Sequence, residues 1–171
     1  MEDIRKEVER LDLDGMATVE TLKKSCGMIP DGPGVYVVLG GYDEMPEFLE
    51  KGTGPEFYKK KDKNKQVEFH PVNYPVDELA GKWVEDTFIM YIGKSDDGLR
   101  KRISTCIRFG CGKDVPHRGG RAIWQLPESD RLCIGWKKLD PTVSAREKEK
   151  EWIKSFKDNH GQQLPFANWK E

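Results

Sequence analysis

Thr87-Phe88-Ile89-Met90-Tyr91-Ile92-Gly93-Lys94-Ser95-Asp96-Asp97-Gly98-Leu99-Arg100-Lys101-Arg102-Ile103 holds a strand, a turn and the start of a helix. Residues 87–92 are apolar and β-prone, which predicts a strand. Residues 93–98 are glycine, serine and aspartate chemistry around one lysine, which predicts a turn. Residues 99–108 place Leu99, Ile103, Cys106 and Ile107 at helical spacing, with Gly110 just past the end. Upstream, the turn at 29–34 precedes a β-branched run at 35–39, closed by Gly40 and Gly41. Downstream, 121–126 and 132–136 are strand candidates around a polar turn at 127–130. Residues 144–156 predict a helix, with Ser144 and Glu147 at capping-box spacing. The pattern of strands and helices indicates a mixed α/β (α+β) fold.

The flanks are simpler. Residues 2–11 predict an amphipathic helix with Ile4, Val8 and Leu11 on one face, and 18–26 a second helix stopped by Gly27. These form an N-terminal helical appendage, 1–28, to a domain at 29–171. Between the two confident strands, 42–86 is a polar excursion with a lysine run, and one short strand is expected near 67–69. A stretch of this length inside a compact domain points to a function of its own.

The chain has 171 residues, 36% hydrophobic and 35% charged, with five Trp, five Tyr and seven Phe. That is enough apolar bulk for one core under a charged surface. No apolar window is long enough to span a bilayer, and 1–6 lack the apolar centre of a signal peptide. Cys26, Cys106, Cys111 and Cys133 form no CxxC pair. Cys106, Cys111 and His117 lack the second ligand pair of a structural zinc site, so reduced thiols are expected. These features predict a cytoplasmic (or nucleoid-associated) protein with no membrane partner.

A formal net charge of -1 conceals strong segregation. Residues 1–22 carry seven acids against three bases, whereas 94–121 carry eight bases against three acids. Residues 59–65 add five lysines against one aspartate. Local basic patches on a near-neutral chain suit an anionic partner. For 59–65 a solvated loop is the plainer reading, because only Tyr58 is interleaved with the lysines.

Two charged residues break the helical patterns. Glu149 lies four residues after Ala145 and three before Trp152, inside the apolar stripe of its helix. A carboxylate there needs a metal ion, a cation or an edge position to offset its burial. Arg102 sits three residues after Leu99 and four before Cys106, beside the stripe of the earlier helix. It suits phosphate or an ion pair with Glu149. Gly93-Lys94-Ser95 is not a nucleotide-binding loop, because Phe88 stands where the required glycine would be. No GxSxG occurs either.

Gly34-Val35-Tyr36, Tyr91-Ile92-Gly93-Lys94, Leu99-Arg100-Lys101-Arg102-Ile103, Glu149 and Asn168 together, in this order, resemble the signature of the GIY-YIG nucleases. The resemblance covers about 30–39 and 87–168. It implies a small central antiparallel sheet flanked by helices. It also implies Tyr36 and Tyr91 side by side at the attacking water or scissile phosphate, and Arg102 neutralising charge in the transition state. Glu149 would hold one Mg2+ (or Mn2+), and Asn168 would support the site. Lys94, His117 and Arg121 are further candidates for catalysis or phosphate binding. The implied function is a metal-dependent endonuclease acting on nucleic acid, DNA foremost. Two other readings stand beside it: a module on this fold that binds nucleic acid without cutting, and a protein-interaction domain resting on the acidic N-terminal helices. The 42–86 insertion departs from the short turn usual between the first two strands of the family.

Overall fold

Residues 4–117 and 119–169 are described by a computed structural model. Glu2 and Asp3 of the expected first helix, and Arg118 of the basic segment, lie outside these residues. The strand over 35–39 is observed as β2, Gly34–Leu39, all of whose residues are buried. Both faces of β2 are covered, which is why its sequence is almost continuously apolar. Tyr36 and Val38 face one core, while Val35, Val37 and Leu39 face the other.

The central sheet has four antiparallel strands in the order β1-β6-β2-β5: β1 is Gly15–Thr18, β5 Ile89–Ser95 and β6 Cys133–Lys138. The chain is thus a mixed α/β protein with antiparallel sheets. Helix α4, Leu99–Gly110, packs Leu99, Ile103 and Cys106 on the Tyr36 face. Helix α5, Ala145–Asn159, packs Trp152, Ile153 and Phe156 on the opposite face. Its first turn is capped as the sequence indicates, with Glu147 N–H donating to Ser144 Oγ at 3.2 Å.

The N-terminal segment expected as an appendage is part of this body. Helices α1, Ile4–Glu9, and α2, Val19–Lys24, flank β1, which pairs with β6 along the sheet edge. Val19 and Leu22 are in the main core. Glu7 is buried against Thr87 Oγ1 at 2.7 Å and against His160. Four residues broken by glycine carried too little alternation to mark β1 in advance. Residues 121–125, read as a strand, form a 3-10 turn instead.

The insertion is ordered. It contains a hairpin, β3 (Phe57–Lys61) with β4 (Val67–Pro71), then helix α3, Val76–Lys82. It buries Phe48, Val72, Leu79 and Trp83 in the main core and is also tied to the body by the buried Gln125, whose amide nitrogen donates to Leu49 O at 2.9 Å and Tyr74 O at 3.0 Å. The amide oxygen of Gln125 accepts from Tyr74 N–H at 2.8 Å. Among the described residues no helix is long and apolar enough to cross a membrane.

Removing the Gln125 amide leaves these backbone groups without partners. Gln125→Ala is expected to cost about 2–4 kcal/mol. It should also expose 42–86 to limited proteolysis. A urea midpoint equal to that of the wild type would contradict this.

Candidate active site

The register of β2 on β5 sets the site. Tyr36 lies opposite Gly93 and Val38 opposite Tyr91, so both tyrosines project from one face of neighbouring strands. Their ring centroids are 5.9 Å apart, tilted by 55°. A Cβ on residue 93 would lie 2.6 Å from Tyr36 Cζ and 2.8 Å from its hydroxyl. Only glycine lets Tyr36 fold across the strand. A bulge follows, since Leu39 pairs with Ile89 and leaves Met90 extra. The freed Met90 carbonyl accepts from Ala167 N–H at 2.8 Å.

Asn168 completes that edge. Its carboxamide accepts from Ile92 N–H and donates to Ile92 O, both at 2.9 Å. The side chain is buried and engaged with the backbone between Tyr91 and Gly93, so it positions the strand. The C-terminal tail thereby covers the edge of β5 that would otherwise expose unpaired backbone.

Arg102 rises from the first turns of α4, half-buried beside Tyr36, Tyr91 and Cys106. Gly119 and Gly120 close over this group. A Cβ on residue 119 would lie 2.8 Å from the Tyr91 hydroxyl and 3.6 Å from Arg102 Nη2. Gly120, at φ +73°, lies flat on the Tyr91 ring.

The two tyrosines are not equivalent. Tyr36 is fully buried and its hydroxyl has no partner in hydrogen-bonding geometry. Its near polar neighbours are the Arg102 guanidinium and Tyr91. Tyr91 lines a cleft of about 580 Å³ with Glu149, Arg121, Tyr74 and Trp169. Burial holds both phenols protonated, Tyr36 well above its ordinary value and Tyr91 up to about 12.

Glu149 is half-buried on α5, where the helical pattern predicts it. Desolvation raises its carboxyl above the ordinary range, against the opposing pull of Lys94, Arg102 and Arg146. It stands between that cleft and a second of about 720 Å³, lined by Lys94, Arg146, Lys150 and Lys154. Lys94 donates to Asp96 at 2.7 Å on the same side. Among the described residues no three His, Cys, Asp or Glu side chains converge as a metal cluster.

His117 and Arg121 differ in burial, and only Arg121 lines the Tyr91 cleft. His117 is 1% exposed, with neither ring nitrogen in hydrogen-bonding geometry. Burial and the Arg102 charge lower its pKa to about 3, so it is a neutral imidazole behind Arg102. Arg121 has its guanidinium carbon 4.4 Å from the Tyr74 ring centroid and 5.2 Å from that of Tyr58, and donates from Nε to Val72 O. Sequence reasoning missed Tyr74 and Trp169, stacked at 3.8 Å in the cleft wall. Aromatics in an irregular segment and in the tail carry no periodic signal.

No protein-family model, curated protein or solved structure matches the chain.

The buried imidazole has a measurable consequence. The unfolded chain protonates His117 below its ordinary pKa of 6.5, and the folded chain only near 3. Its contribution is therefore present above pH 6.5 and is lost as pH falls through that window, by up to about 1.4 kcal/mol per unit. Urea unfolding at pH 7 and pH 4.5 is expected to show wild type losing about 2 kcal/mol more than His117→Leu. Equal losses would contradict the buried neutral imidazole.

Proposed function

We propose that this chain is a GIY-YIG-type endonuclease that hydrolyses phosphodiester bonds, with DNA as its substrate. The observation that carries the reading is that Tyr91 and the half-buried Glu149 line a single cleft, with the charge of Arg102 acting on both from behind Gly119. Phosphodiester hydrolysis needs a hydrogen-bond donor, a fixed positive charge and a ligand for a hard cation.

Each side chain has a definable part. Tyr91 keeps its proton at neutral pH, so it donates to a phosphate oxygen or orients the attacking water and does not act as a base. Arg102 is charged at every working pH. It offsets the negative charge that grows as water oxygen bonds to phosphorus and the bond to the leaving oxygen breaks. The attacking water gives up a proton, and the leaving oxygen takes one. Tyr36 and His117 do not reach the cleft and act by packing around Arg102. Asn168 holds the backbone that carries Tyr91.

Glu149 is the residue to hold one Mg2+ or Mn2+. A single, partly desolvated carboxylate fits a hard cation that keeps several waters and takes further oxygens from a phosphate. When bound, such an ion neutralises the scissile phosphate and polarises the leaving oxygen.

One feature favours the second reading, a module that binds without cutting. Arg102 lies behind Gly119, away from the lining of the Tyr91 cleft. Nicking of supercoiled plasmid in Mg2+ or Mn2+ separates the two. Glu149→Gln is expected to nick at least about a hundredfold more slowly than wild type, with binding of a labelled duplex in EDTA retained. Equal nicking by both proteins would overturn the role of Glu149. Binding with no nicking by wild type would establish the second reading.

A further inference from the structure

The β3–β4 hairpin pairs with no other strand. An isolated two-stranded hairpin is marginal in water, so its orientation depends on what holds it. One face is locked by a ladder of rings and cations. His70 stacks on Tyr58 at 5.4 Å, Arg121 lies over both Tyr58 and Tyr74, Tyr74 stacks on Trp169, and Lys82 Nζ lies 5.3 Å from Trp169. The members use their faces on one another. The ladder is therefore a fastening and not a platform for unpaired bases.

The other face is largely exposed, apart from Lys59, whose Nζ lies 3.6 Å from Asp114. Across the register, Phe57 meets Pro71, Lys59 meets Phe69 and Lys61 meets Val67. Phe57 is 51% exposed, Val67 53% and Phe69 64%. Along the chain only Tyr58 is interleaved with the lysines, but strand pairing adds Phe69 opposite Lys59. Asp62, the one acid within 59–65, is occupied by the turn, accepting from Asn64 N–H at 2.8 Å and Gln66 N–H at 2.9 Å. Among the described residues, Lys60, Lys61, Lys63 and Lys65 have no carboxylate within ion-pair distance. Lys60, on the ladder side, lines the same cleft as Tyr91 and Glu149.

We propose that this hairpin is a rigid clamp for the phosphate backbone of the nucleic acid that enters the cleft. The clamp rests on the functional reading above for its ligand class only. Lys60 meets the strand at the cleft. Lys61, Lys63 and Lys65 meet phosphates toward the hairpin tip, and Phe57 and Phe69, nearer its base, pack on sugars. Charge complementarity selects the occupant: a run of lysines continuous with the cleft follows a polyanion, and carries no base-specific code.

Fluorescence anisotropy of a labelled duplex and a labelled single strand, in EDTA across a KCl series, tests the clamp without requiring hydrolysis. The triple variant Lys61→Ala, Lys63→Ala, Lys65→Ala is expected to weaken binding at least about tenfold and to lower the slope of log K on log salt by about 2–3. The corresponding Lys→Arg triple should restore both, and unchanged thermal melts would exclude a folding effect. Wild-type affinity and slope in the Ala triple would overturn the clamp, as would a wild type that binds neither oligonucleotide at low salt. A selective response to an acidic protein alone would overturn it too. A wild type that binds through these lysines yet nicks no plasmid would leave the clamp standing and remove the nuclease reading. Nicking with immaterial lysines would do the reverse.

Discussion

The approach of β2 to β5 depends on residue 93 having no side chain. With glycine there, Tyr36 lies across the neighbouring strand and its hydroxyl reaches the Arg102 and Tyr91 group. The bulge at Met90 sets Tyr91 beside Tyr36, and the tail reads the bulged strand through Ala167 and Asn168. Helix α4 leaves the same strand through a short turn and brings Arg102 back over the ring pair. Two buried phenols, a recessed guanidinium and a neutral imidazole lie together, and among these described groups Arg102 is the charged one, with Glu149 of α5 within its electrostatic influence.

The insertion obeys a different constraint. It buries Phe48, Val72, Leu79 and Trp83 in the main core, and its hairpin is fixed by Gln125 and by alternating rings and cations. Polar fastening of this kind costs solvation but fixes direction. It aims the lysine-bearing hairpin at the cleft that Tyr91 and Glu149 share. The hairpin and the Tyr91 cleft are thus joined through Arg121 and Trp169, neither of which contributes to the hydrophobic periodicity of any element.

Elements with strong periodicity were legible in the sequence. The strands over 35–39 and 87–92 and the helices over 99–108 and 144–156 are observed within a few residues, because each buries a full face. Glu149 was also legible as an interruption of an apolar stripe, and it is half-buried there. What was not legible has tertiary causes. Strand β1 exists through pairing with β6, and 121–125 closes as a 3-10 turn because Gln125 serves the insertion. The recessed position of Tyr36 follows from packing against Gly93, which strand alternation does not reveal. The hairpin was discounted as a solvated loop because cross-strand neighbours are invisible along a single strand.

The central claim proposed is that the cleft lined by Tyr91 and Glu149 gathers a phosphodiester and a divalent cation, with Arg102 reaching the phosphate from behind Gly119. The most direct measurement is a crystal structure of the Tyr91→Phe protein with a duplex oligonucleotide and Mn2+, the ion located by its anomalous scattering. The account predicts Mn2+ on a Glu149 carboxylate oxygen, with a backbone phosphate within hydrogen-bonding reach of Arg102. An ion and a phosphate bound away from these two residues, with the cleft empty, would contradict it.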